Sequence, residues 1–182
     1  MPFYQVHHTW SLTMDQRQSI AAAITKLHCS AFKTPAFFVH VNFIKQDAEA
    51  PAGTYFMAGK PRSSNSNKIM GVVRTSPNRT KADWDKLAAD IETAWDRIVG
   101  NETSGAENEH LDKAKSLAMI AFTPLIAARE AGMAIPDAGH EGPWLKEQLP
   151  YFKDVSGKYD LQGFGDLLDE LKHAEASKSL ST

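Results

Sequence analysis

Twice along this chain of 182 residues, a strand-like segment, a long amphipathic helix and a second strand-like segment follow one another. The first unit spans about residues 2–44 and the second about residues 68–122. Residues 2–8 read as a strand ending in His7-His8. Thr13-Met14-Asp15-Gln16 has the form of a capping box, in which side chains satisfy the free amides of a helix start. Ile20, Ile24, Leu27 and Ala31 then recur at helical spacing, and Lys33-Thr34-Pro35 ends the helix. Phe37 to Ile44 is rich in β-branched and aromatic residues and predicts a strand. Phe37, Val39, Val41 and Phe43 share one face of it, with His40 and Asn42 on the other.

In the second unit, Lys68 to Arg74 predicts a strand and Thr80 to Asp83 another helix start. Trp84, Leu87, Ile91, Trp95 and Ile98 form one stripe, and Leu117 to Phe122 is an apolar run of strand length. The two units share a pattern and negligible sequence identity. Two βαβ units in series predict an α+β fold: a four-stranded sheet with both helices on one face. A partner subunit is the natural cover for the opposite face, which predicts an oligomer.

The connecting segments carry weaker patterns. Residues 46–53 read as a loop, Thr54 to Met57 as a short strand, Gly59 to Asn67 as a polar loop, and Gly100 to Asn108 as loop or frayed helix. Pro124 to Gly132 reads as a short helix or turn, and Pro136 to Gly142 as a loop. Trp144 to Leu149 fits one or two helical turns. Leu161, Phe164, Leu168 and Leu171 form a last amphipathic helix, with Ala174 to Thr182 as a frayed tail. This divides the chain into a domain over residues 1–150 and a C-terminal helical extension over 151–182.

The net charge of −2 comes with no basic or acidic block, which argues against binding driven by nucleic-acid phosphates. Cys29 is the only cysteine, so no intrachain disulfide forms and a reducing compartment fits. No run approaches the ~18 apolar residues of a membrane helix, and PFYQVHHTW lacks the basic start and long apolar core of a signal peptide. A cytoplasmic protein that does not engage membranes is expected. His7-His8 and His40 have no partner at metal-ligand spacing, and no Cys-X-X-Cys, His-Glu-X-X-His, phosphate-loop or dinucleotide motif occurs. Neither metal nor cofactor is expected.

Pro2 follows Met1 directly, and a small second residue permits removal of the methionine. The chain would then open on a secondary amine at the start of a strand. A free α-amino group titrates near pH ~8; partial burial lowers that value, and an amine tuned this way suits general acid/base work near neutrality. His28, Arg74, Arg79 and Glu130 each have an ordinary reading: a cation at a helix C-terminus, surface charges, a solvated helix residue. His140, between Gly139 and Gly142, reads as part of a turn.

Taken in order, these segments resemble the tautomerase superfamily, in the branch around cis-3-chloroacrylic acid dehalogenase. The segment Gly139-His140-Glu141-Gly142-X-Trp144 is the most specific match. Ala23-Ile24-Thr25 with His28 and Glu130-Ala131-Gly132 accompany it, and the resemblance covers residues 2 to about 150. It implies a homotrimer of βαβ-repeat subunits that uses an amino-terminal proline, Pro2, on a small carboxylic acid without a cofactor. It implies that His28 and two arginines, Arg74 and Arg79, bind the carboxylate, and that Glu130 with a tyrosine activates water. The tyrosine position falls on Met119, whose thioether neither donates a hydrogen bond nor takes a proton from water. Dehalogenation is therefore expected to be weak or absent.

Three activities follow as expectations. The first is proton transfer in small enol, 2-oxo or unsaturated acids. The second is hydration or dehalogenation of 3-substituted acrylates. The third is a non-catalytic trimeric scaffold, which an uncleaved Met1 would favour.

Overall fold

The computed structural model describes residues 1–47, 55–61, 66–100, 114–130, 132–158, 168–170 and 172. Strand β1 (Phe3–His8) leads into helix α1 (Met14–Phe32), then a 3-10 turn (Ala36–Phe38) and strand β2 (His40–Lys45). A short hairpin follows, β3 (Phe56–Met57) with β4 (Lys60–Pro61). The second unit is β5 (Asn67–Val73), α2 (Lys81–Gly100) and β6 (Leu117–Pro124). A second hairpin, β7 (Arg129–Glu130) with β8 (Met133–Ala134), precedes helix α3 (Glu141–Lys158).

The four long strands form one sheet in the order β2-β1-β5-β6. Within each unit the strands are parallel, and the units meet where β1 runs antiparallel to β5, with Tyr4 opposite Gly71. This is the predicted four-stranded sheet. Both helices lie on one face. Ile20 and Ile24 of α1 and Leu87, Ile91, Trp95 and Val99 of α2 are buried against Tyr4, Val6 and Ile69. The opposite face carries Phe3, Gln5, His7, Lys68, Met70 and Val72, each only partly covered.

Capping sets where both helices begin. Thr13 Oγ1 accepts from the Gln16 amide at 3.1 Å while the Gln16 side chain accepts from the Thr13 amide at 3.0 Å, the reciprocal pair read from the sequence. At α2 the Thr80 amide donates to Asp83 Oδ2 at 2.8 Å. Asn67 ties the two units together. Its carbonyl oxygen accepts from the Thr9 and Trp10 amides, and its amide nitrogen donates to the Ala114 and Ser116 carbonyls.

Three readings of the sequence are corrected. The strand expected over residues 37–44 starts at His40. Phe37 and Phe38 turn away in the 3-10 turn after Pro35 and join a second apolar cluster with Met133, Leu145 and Phe152. Pro124 to Gly132 is not helical: Arg129 pairs with Ala134 and Glu130 with Met133, and Gly132 takes the positive φ of 82° that the reversal requires. The one or two turns expected over residues 144–149 belong to an 18-residue helix that runs through Pro150. An interior proline costs about 3 kcal/mol; burial of Leu145 and Phe152, two turns apart, offsets it.

Thr54, residues 62–65 of the polar loop, the Gly100–Asn108 segment after its first residue, Leu161, Phe164, Leu171 and the tail over 174–182 lie outside the described residues. Of the last expected helix, Leu168 packs beside the second cluster. Glu170 accepts from the Ala36 and Phe37 amides at 2.8 and 3.2 Å, which satisfies the start of the 3-10 turn.

Candidate active site

The chain's first amine, Pro2 and the ends of β5 and α1 meet at one end of the sheet's central strands. Pro2 is buried, and its carbonyl accepts from the His40 amide at 3.1 Å, which continues the β1–β2 ladder to the first residues. The amine of Met1 is held down to about pH 5 against an ordinary 8.0. Burial is the main cause; the charges of Arg74 and Arg79 add to it, while Glu130 and Glu141 oppose it. Five of the residues singled out in the sequence, Pro2, His28, Arg74, Arg79 and Glu130, therefore sit in one electrostatic neighbourhood.

Arg74 follows β5 directly and is buried. Its Nη1 donates to the Pro136 carbonyl at 2.6 Å and its Nη2 to Glu141 Oε1 at 2.7 Å, while Nε is closed to solvent with no hydrogen-bond partner. Arg79 donates to the Arg74 carbonyl at 3.0 Å, and its Nη2 stands 3.6 Å from Glu141 Oε1. Its guanidinium lies 4.9 Å from the centre of the Phe32 ring, and burial, with Arg74 beside it, lowers its pKa. A planar guanidinium in this setting suits a carboxylate.

The sequence offered His28 as a cation at the end of α1 and placed Ala31 on the apolar stripe. In the structure His28 lies within the stripe, 1% exposed, while Ala31 faces solvent. Its Nδ1 is 2.7 Å from the Tyr4 hydroxyl. With that hydroxyl as donor, Nε2 carries the ring proton, and Nε2 is buried without a partner. Burial, then the charges of Arg79, the amine and Arg74, push its pKa down to about 3. His28 is thus a neutral hydrogen-bond donor at physiological pH, not a helix-end cation.

Glu130 stands on β7 beside β2, with Oε1 3.0 Å from His40 Nε2 and Oε2 buried and unpartnered. Met119 is the residue one chain does not bring to this group. It pairs with Lys68 on β6, 43% exposed, whereas Arg74 follows the Val73–Pro124 pair. At ~3.3 Å per residue, about 20 Å of strand separates the levels of Met119 and Arg74.

Three further residues belong to the site. Glu141 bridges both arginines and also accepts from the Gly139 amide at 2.7 Å. Its position inside the Gly-His-Glu-Gly segment was the available signal. The strand alternation of β1 marked Tyr4 only as core. His40 gave no signal, because Glu130 lies far along the chain. His140 is exposed, and its amide closes a turn onto the Asp137 carbonyl at 3.1 Å.

Fold and site together define the class. A family model described as a putative oxalocrotonate tautomerase enzyme matches residues 1–148. The chain belongs to this family, within the tautomerase superfamily. Solved structures share the fold at low identity. N1, a member of the cis-3-chloroacrylic acid dehalogenase family, is 20% identical with a TM-score of 0.58, over 79% of this chain and 90% of its own. RhCC from Rhodococcus jostii RHA1 is 19% identical with a TM-score of 0.52, over 80% and 95%. The F6 fused 4-OT wild type asymmetric trimer is 15% identical with a TM-score of 0.51, over 72% and 94%. No curated protein matches the sequence. Among the described residues, no helix is long and apolar enough to cross a membrane.

Proposed function

We propose that the chain is a cofactor-independent tautomerase that uses Pro2, freed of Met1, as general acid/base on small enol, 2-oxo or unsaturated carboxylic acids. The observation that carries this reading is the amine at the chain start, held near pH 5 by burial and two arginines. An amine so depressed is largely unprotonated at neutral pH and ready to accept a proton. Removal of Met1 places the amine on Pro2, a buried residue.

In this reading the arginine pair takes the substrate carboxylate, with Arg79 the less committed of the two. The Nε2 proton of His28 meets a carboxylate or carbonyl oxygen. Pro2 takes the proton of the enol oxygen and returns it to carbon, and the charge of Glu130 favours the protonated amine in between. The half-covered sheet face opposite the helices fits burial in a homotrimer; the fused 4-OT neighbour is named as an asymmetric trimer. The single, half-buried Cys29 fits a cytoplasmic setting. Water addition to 3-substituted acrylates stands second: Glu130 offers a free carboxylate oxygen for water, while Met119 offers no proton-handling group.

The test is ketonisation of phenylenolpyruvate, followed by ultraviolet absorbance, for the wild type and Pro2→Ala with intact masses recorded. Loss of Met1 together with collapse of the rate in Pro2→Ala is the expected result. An idle wild type with Met1 removed would overturn the reading in favour of a scaffold.

A further inference from the structure

Glu130 sits on a strand of two residues whose ladder is a hairpin with Met133–Ala134. A ladder of that length is marginal by itself, yet the carboxylate lies close enough to the amine of residue 1 to act on its charge. The side chain that reaches Glu130 is His40, with Nε2 3.0 Å from Oε1. Neither His40 Nε2 nor Glu130 Oε2 has a hydrogen-bond partner, and both atoms are closed to solvent. The contact is one of proximity between an imidazole nitrogen and one carboxylate oxygen. It fixes one carboxylate oxygen and leaves the other bare.

The backbone of His40 is tied to the opposite side of the site. Its amide donates to the Pro2 carbonyl at 3.1 Å, and its ring leans on Phe3, with centroids 6.4 Å apart. One residue thus links the chain start beside β1 to a carboxylate whose charge reaches the amine. Glu130 from β7 and Phe3 from β1 flank the His40 ring.

We propose that His40 is the positioning residue for Glu130, holding Oε1 so that Oε2 faces the amine and the hydroxyl of a bound substrate. This rests on the proton-transfer reading above. His40 passes no proton to the substrate; it acts through Glu130.

The test is a double-mutant cycle in the phenylenolpyruvate assay with His40→Leu, His40→Gln, Glu130→Gln and the His40→Leu/Glu130→Gln pair. His40→Leu should lower kcat about tenfold with KM changed less than about threefold, the size expected for losing one contact to a charged group. His40→Gln, which keeps an N–H donor, should recover most of the rate. In the Glu130→Gln background, His40→Leu should have no further effect. Additive losses, or failure of His40→Gln to recover, would overturn the proposal, since a merely structural role would act in both backgrounds.

Pro2→Ala separates the two readings. An unchanged rate there sinks the proton-transfer reading, and the His40 contact then stands or falls on nuclear magnetic resonance. The His40 ring nitrogen shifts at neutral pH should move on Glu130→Gln and stay fixed on Glu147→Gln, a change at an exposed position. No movement on Glu130→Gln refutes the contact whatever the activity.

Discussion

His28 should make the fold acid-sensitive by an amount that the structure sets. The ring is 1% exposed, and burial with nearby cations pulls its pKa from 6.5 to about 3. In the unfolded chain it returns to about 6.5. Above that pH the ring is neutral in both states and costs nothing. Between 6.5 and 3 the unfolded chain takes up a proton that the folded protein refuses, so stability falls as pH falls. Each pH unit descended within that window costs about 1.4 kcal/mol, so between pH 7 and 4.5 the loss from this ring is about 2–3 kcal/mol. A domain with a net stability of about 5–15 kcal/mol feels that strongly.

The perturbation is His28→Asn, whose amide can still meet the Tyr4 hydroxyl but does not titrate. Urea unfolding at pH 7, 6, 5 and 4.5, at one protein concentration, gives both stability curves. The variant starts lower at pH 7 because it leaves space beside Phe32 and Trp84. The gap should then close by about 2–3 kcal/mol on acidification, since carboxylate titration is common to both proteins. Parallel curves would refute the argument and mean that the folded ring accepts a proton as readily as the unfolded one.

Other substitutions test the frame around the site. Asn67→Ala removes the partner of four backbone groups; at about 1 kcal/mol each the loss should reach about 3–5 kcal/mol by denaturant melts, and a loss below about 1 kcal/mol would show that water or a small shift replaces the amide. Gly71→Ala places a Cβ 2.7 Å from Phe122 Cδ1 and 3.2 Å from Tyr4 Cε1. Tyr4 also holds His28, so this variant should lose about 1–3 kcal/mol and some activity together. An unchanged melting temperature would show that Phe122, which is half-buried, simply swings aside.

The regular parts of the molecule were legible because their signals are local. The spacing of Ile20 and Ile24, the Thr13–Gln16 box and the Trp84–Ile98 stripe each declare a helix within one or two turns of chain. The strand start at residue 37 misled because Phe37 and Phe38 are apolar for another reason: they pack on Met133 and α3, a contact made across nearly a hundred positions of sequence. The hairpin at residues 129–134 misled for a similar cause. Its pairing depends on Gly132 taking a positive φ, and two-residue strands leave no periodicity to read. Pro2, His28, Arg74, Arg79 and Glu130, which the fold brings into one neighbourhood, were singled out through the order of motifs. Glu141 and His40 acquire their roles only when distant segments meet, at Arg74 and at Glu130. No one-dimensional pattern records such meetings.

The way Arg74 is held sets the order in which the molecule can be completed during synthesis. Its two terminal nitrogens are held by Pro136 and Glu141, which leave the ribosome long after β1, α1 and β5. At about 5–20 residues per second, on the order of ten seconds pass between the emergence of residue 1 and that of Glu141. Throughout that interval the end of the sheet around the amine lacks its later walls. A processing enzyme acting on the first residue therefore meets an open chain end, whereas the same enzyme meeting the finished protein finds Pro2 buried. The burial that tunes the amine also sets a time limit on its exposure.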